Sequence, residues 1–258
     1  MYPVLLQIGS FELRSYGVFV AVAILVGGWL AAREAPRRGV EPARVWDFVF
    51  IATLAGIIGS RAYFVLVSEP AWFREHPWDI VAVWKGGMAI HGGLLAGLGA
   101  GVWFCRRHRI PFLRFADVAA PGLILGQTVG QVACLLNGDT YGRPTTLPWA
   151  ITFSDPRSFA PLGVPLHPLQ VYEGLAYLGV FALVWAFRDR LRRDGDLFLL
   201  YVVTYAIVRF PLEFLRGDPP VVAGVIVPQA WSVLALAAAA VVFVARRRTE
   251  APLRGERR

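Results

Sequence analysis

Residues 46–67 read WDFVFIATLAGIIGSRAYFVLV, an apolar run whose only basic side chain is Arg61. A helix rising 1.5 Å per residue carries such a run across about 30 Å of hydrocarbon. A guanidinium placed there costs at least about 2.5 kcal/mol on lenient insertion scales, so it faces protein or a cavity and points to function. Two further groups share that setting: His91 lies in the apolar run 87–105, and Arg209 in the run 197–215.

The rest of the chain extends the pattern. Apolar runs also cover 17–32, 115–136, 169–187 and 221–245, so seven are legible in all. With 56% hydrophobic residues and a mean hydropathy of +0.53, the chain is too apolar for a soluble domain of its length. The expected fold is all-α: one integral membrane domain over residues 1–258 with seven transmembrane helices. Residues 1–13 carry no basic side chain and the first run ends in Arg33-Glu34, which reads as a retained helix rather than a cleaved leader.

Basic residues set the expected orientation. Of the 26 Lys and Arg, 18 fall in the first, third and fifth gaps between runs and in the tail after the seventh. They include Arg33, Arg37, Arg38 and Arg44, Arg106 to Arg114, Arg188 to Arg193, and Arg246 to Arg258. The opposite side holds Arg14, Arg74, Lys85, Arg143, Arg157 and Arg216. Positive loops stay inside, so the N-terminus is expected outside and the C-terminus in the cytoplasm. The net charge of +8 then reflects topology and anionic lipid, not nucleic acid. Cys105 and Cys134 fall at opposite ends of neighbouring runs, and the four histidines show no ligand spacing, so neither a disulfide nor a metal site is expected.

In that topology the polar residues gather at one depth. Arg61 and Arg209 each lie about 10 Å below the outer end of their runs, and His91 about one turn below it. Asn137, Asp139 and Tyr141 follow the outer end of the fourth run, and Tyr16 opens the first. This pattern suits a lateral pocket open to the outer leaflet better than a path across the bilayer, which would string polar groups through its full thickness. Plain alternatives stand beside it. Either arginine can snorkel toward headgroups, and Gly93, Gly97 and Gly101 repeat at a spacing that suits helix packing. The double glycines flanking His91 instead suggest backbone left open to a ligand. Tyr205, Arg209, Glu213 and Arg216 share one helical stripe, either a structural ion pair or a guanidinium held ready by Glu213. Pro211 is expected to kink that helix. The outer loop 138–168 is long and rich in proline and aromatics, and reads as a folded cap, gating or passive.

These residues resemble a known family, the prolipoprotein diacylglyceryl transferases of bacterial inner membranes. The resemblance spans nearly the whole chain. It rests on Ser15-Tyr16-Gly17, Gly59-Ser60-Arg61, Gly86-Gly87-Met88-Ala89-Ile90-His91-Gly92-Gly93 and Asn137-Gly138-Asp139-Thr140-Tyr141-Gly142-Arg143. It continues through His167-Pro168-Leu169-Gln170-Val171-Tyr172-Glu173 and Arg209-Phe210-Pro211-Leu212-Glu213-Phe214-Leu215-Arg216. The chain departs from the family pattern at Gly130-Gln131-Val132-Ala133-Cys134, where the family usually has arginine and asparagine in place of Gln131 and Cys134.

The resemblance implies transfer of the diacylglyceryl group of phosphatidylglycerol to the lipobox cysteine of a prolipoprotein signal peptide. A thioether forms and glycerol phosphate leaves. It implies His91 and Arg209 as catalytic residues. Arg61, Tyr16, Gln131, Asn137, Asp139, Gly142, Arg143, Tyr205, Glu213 and Arg216 are the implied substrate-binding set, with membrane lipid as surroundings and no cofactor, metal or nucleic acid. A non-catalytic or altered-substrate relative that binds phospholipid is the alternative, followed by a small transporter.

Overall fold

The computed structural model describes residues 1–9, 11–83, 86–219, 221–222 and 225–250. Lys85, Arg254, Arg257 and Arg258 from the charge pattern lie outside them, as do the side chains of Arg246, Arg247 and Arg248.

Eight α-helices are formed among the described residues: α1 (Ser15–Glu34), α2 (Pro42–Tyr63), α3 (Pro70–Glu75), α4 (Ile90–Arg107), α5 (Phe112–Asn137), α6 (Leu169–Phe187), α7 (Asp196–Leu212) and α8 (Val227–Glu250). Among the described residues, five helical segments are long and apolar enough to cross a membrane: Ser15–Arg38, Pro42–Ser68, Phe112–Asn137, Leu169–Phe187 and Asp196–Leu215. A shorter apolar helix covers Val227–Val242. The run expected to start at residue 87 instead starts its helix at Ile90, because Gly86 and Gly87 adopt φ of +87° and +75°, outside helical space. What remains of it ends in Arg106-Arg107.

The structure is mostly helical, with short two-stranded ladders beside the helices. β1 (Val4–Ile8) pairs antiparallel with β2 (Phe11–Arg14) across a turn containing Gly9 at φ +59°. Two further two-stranded ladders pair β3 (Ile151–Thr152) with β4 (Pro165–Leu166), and β5 (Val221–Val222) with β6 (Val225–Ile226).

The chain divides into two compact units, Leu30–Val118, and Met1–Trp29 with Ala119–Arg258. In the first, α2 lies against α4 where both are stripped of side chains. A Cβ at Gly59 would stand 2.6 Å from the Gly92 carbonyl oxygen, so only glycine fits this approach. Gly93 likewise faces Ser60, whereas nothing lies within 4 Å of the Gly97 position. The glycines that follow His91 therefore serve helix contact, not an open backbone. Phe48, Phe104 and Phe115 pack as a ring cluster with centroids 5.0–5.8 Å apart. Arg38 closes this unit through a 3.1 Å ion pair to the buried Asp117.

In the second unit, α1 and α5 approach through Gly27, whose Cβ would sit 2.7 Å from the Gly122 oxygen. Ala120, Ile124, Tyr177, Val180, Val184, Leu197 and Tyr201 form the apolar interior of α5, α6 and α7. The loop after α5 is folded around a small core of Phe153, Ala160 and Leu166. It is laced to the segment after α7: Arg143 N–H donates to the Leu215 carbonyl at 2.8 Å, and Gly217 N–H to that of Tyr141 at 2.9 Å. Pro211 lies inside the last turn of α7, and Glu213–Leu215 continue the chain as a 3₁₀ turn.

Candidate active site

Four charged side chains form the centre of the second unit. Arg209 on α7 presents Nη1 to Glu173 on α6 and Nη2 to Glu213, the latter at 2.7 Å. Glu213 also lies 3.6 Å from Arg216 Nη1. Both carboxylates are fully buried, at 1% and 0% exposure, and Arg209 retains only 12%. Desolvated charges of this kind persist only when paired and hydrogen-bonded. Tyr177 accepts from Arg209 at 3.3 Å, and its ring packs on Tyr205 at 5.3 Å. Gln131 on α5 donates through Nε2 to Glu173 at 2.7 Å. The cluster holds two guanidinium groups against two carboxylates, with Gln131 as its neutral member.

The turn after α5 builds the wall beside it. Gly138, at φ +83°, reverses the chain, and Asn137 Nδ2 donates to Asp139 at 2.5 Å. Gln170 Nε2 fixes the same turn by donating to the Asp139 carbonyl at 2.7 Å. Burial pushes the Asp139 carboxyl above the usual carboxylate range, with the Asn137 hydrogen bond and Arg216 pulling the other way. Tyr16 lies within electrostatic reach of Cys134 and Asp139. Oδ1 of Asn137 and Oε1 of Gln170 are buried acceptors without a hydrogen-bond partner among the described residues. Gly142 is demanded by close approach, since its Cβ would stand 2.5 Å from the His167 oxygen. Arg143 is exposed and donates through Nε to the Arg216 carbonyl at 3.3 Å.

The first unit holds the other two expected residues. His91 sits in the first turn of α4, with its ring centroid 6.0 Å from that of Tyr63. Arg61 is buried near the end of α2 and directs its guanidinium at the backbone carbonyls of Asp79, Ile80, Ala82, Gly86 and Gly87.

The profile of the family described as "Prolipoprotein diacylglyceryl transferase" matches residues 3–245. The chain belongs to the prolipoprotein diacylglyceryl transferase family. A phosphatidylglycerol–prolipoprotein diacylglyceryl transferase of Gloeobacter violaceus is 39% identical over 222 residues, covering 84% of this chain and 82% of the relative. The enzyme of that name from Geobacillus kaustophilus is 38% identical over 233 residues, with 86% and 83% covered. That of Bacillus velezensis is 34% identical over 251 residues, with 95% and 92% covered.

Within this transferase family the departure at Gln131 acquires a structural meaning. The position faces Glu173, so an amide there supports the carboxylate without adding charge. Glu173 itself was absent from the candidate set although it is the group that Arg209 and Gln131 share. Its signal was available: an acid inside the apolar run 169–187 is as costly as Arg61 in its own run. Tyr177 and Gln170 carried no comparable signal, since tyrosine and glutamine are ordinary in a helix of this kind.

Proposed function

We propose that this transferase acts on phosphatidylglycerol and on prolipoprotein signal peptides bearing a lipobox cysteine, from a bacterial inner membrane. It crosses that membrane seven times, with its N-terminus outside, its C-terminus in the cytoplasm and residues 138–168 as an outer cap. The cysteine sulfur attacks the glyceryl carbon that bears the phosphate ester. The S–C bond forms as the C–O bond breaks, and glycerol phosphate departs with the electron pair. The thiol proton passes to His91 and from there to solvent or to the leaving group. A thiolate is the competent nucleophile, so a base near the thiol raises the reactive fraction.

Negative charge gathers on the phosphate oxygens as the bond breaks. Arg209 meets that charge, and its value lies in being immobile beforehand: Glu173 and Glu213 hold it in place before substrate arrives. Arg216 and Arg143 add positive potential, and Tyr16, Asn137, Asp139, Gly142 and Tyr205 shape the lipid site. The clamped guanidinium, in a chain of this family, is the observation that carries the reading.

The test mixes purified protein with phosphatidylglycerol and a lipobox peptide. Glycerol phosphate release matched by a diacylglyceryl mass gain on the peptide cysteine is the expected result. If neither appears while phosphatidylglycerol still binds, the chain is a lipid-binding relative.

A further inference from the structure

The resemblance puts Arg61 in the substrate-binding set, and its surroundings point elsewhere. A guanidinium has five N–H donors. Nε donates to the Ile80 carbonyl at 2.9 Å, and Nη1 to those of Gly86 at 2.6 Å and Gly87 at 2.9 Å. Nη2 donates to the Asp79 carbonyl and to that of Ala82 at 3.5 Å. All five donors are occupied, the residue is 7% exposed, and the Phe73 ring lies 5.1 Å from its Cζ. A phosphate oxygen would have to displace one of these carbonyls from the guanidinium; that of Asp79 also accepts from Ala82 N–H at 3.1 Å within a 3₁₀ turn. A carbonyl displaced from the enclosed guanidinium loses a charge-assisted hydrogen bond.

What those carbonyls belong to gives the arrangement its purpose. Gly86 and Gly87, both at positive φ, turn their oxygens toward Arg61. A Cβ on Gly87 would stand 2.5 Å from the Phe64 ring and 2.7 Å from Arg61 Nη1. The neighbouring residue adds a second tie, because the Ser60 carbonyl accepts from Ala89 N–H at 3.1 Å. One residue later α4 begins, and His91 stands in its first turn. Ser60 and Arg61 thus fasten the chain immediately ahead of the histidine.

We propose that Arg61 is a positioning residue for the transfer reaction. It holds residues 79–82 and 86–87 so that His91 is delivered to a fixed place, and it is not a contact to the lipid phosphate. The proposal rests on the reading of His91 as the group that takes the thiol proton. Lysine keeps the charge but has three donors and no fork, so it cannot hold this set of carbonyls.

The experiment compares the full-length protein with Arg61→Lys, Gly87→Ala and His91→Ala in lipid nanodiscs. It reads kcat, KM for phosphatidylglycerol, and amide hydrogen exchange over residues 86–93. For Arg61→Lys the expected result is a kcat lower by about tenfold or more with KM changed less than about twofold, and faster exchange at Ala89. Gly87→Ala, which disturbs the same contact from the other side, should reproduce both effects and serves if Arg61→Lys lowers the folded yield. A raised KM with kcat preserved, or exchange over 86–93 unchanged in both variants, overturns the proposal. Normal activity in His91→Ala removes the histidine from the mechanism instead, and exchange alone then decides whether Arg61 holds the segment.

Discussion

Gln131 donates a 2.7 Å hydrogen bond to Glu173, the same carboxylate that receives Arg209. This chain supports the acid with a neutral amide at a position where the family resemblance implies a cation. Within this cluster Arg209 and Arg216 face Glu173 and Glu213. Gln131→Arg adds one positive charge beside Glu173. A charge-assisted hydrogen bond exceeds a neutral one by about 1 kcal/mol, so kcat/KM should rise about fivefold. Initial rates against phosphatidylglycerol check this, and a fall would mean that the cluster has repacked around glutamine.

Removing a carboxylate tests the clamp from the other side. Glu173→Gln leaves Arg209 with Glu213 as its remaining charged partner, in a place where Arg209 is almost fully enclosed. Breaking one partner out of a buried pair costs about 3–5 kcal/mol. Substitution by the isosteric amide, which still accepts a hydrogen bond, should fall at the low end. Reversible unfolding in mixed micelles measures the loss. Stability within error of the parent protein would show that Glu173 does not hold the arginine.

Asp139 gives a pH dependence of defined sign. Burial raises its folded pKa above that of the unfolded chain, so the folded state disfavours the ionised form. That penalty is absent below the unfolded value and fully present above the folded one, and stability falls as pH rises through the interval. Asp139→Asn removes the charge and keeps an oxygen for the Asn137 amide. The variant should match the parent protein in midpoint temperature near pH 3 and equal or exceed it at pH 7. A variant less stable only at pH 7 would mean that the ionised carboxylate is favoured in the fold.

Several of these features are legible in the sequence, and the rest fail for physical reasons. The spacing of Arg209, Glu213 and Arg216 forecasts their pairing, since residues three and four apart share a helical face. Asn137 and Asp139 sit together because they flank a glycine turn visible in the chain. Glu173 is legible on the same ground as Arg61, as a charged group inside an apolar run. The partners of Arg61 are not legible, because carbonyl oxygens belong to every residue type and only the folded backbone at residues 79–82 and 86–87 presents them to the guanidinium. Glycine beside His91 was ambiguous for a similar reason. At Gly92 and Gly93 it meets α2, at Gly87 it meets Arg61, and composition cannot separate the two. The N-terminal hairpin was missed because attention to span length leaves a short apolar stretch such as Val4–Ile8 unassigned.

The most direct measurement sets Arg209→Lys against the parent protein in the coupled assay of glycerol phosphate release and peptide mass gain. Lysine preserves the charge but cannot reach Glu173, Glu213 and a phosphate oxygen together. Loss of one donor aimed at developing charge costs about a hundredfold or more in kcat. A fall of that size, with the protein still folded in the membrane, is the expected result. Activity of Arg209→Lys within about threefold of the parent, well inside the loss expected for a stabilising donor, would contradict a fixed guanidinium at the leaving group.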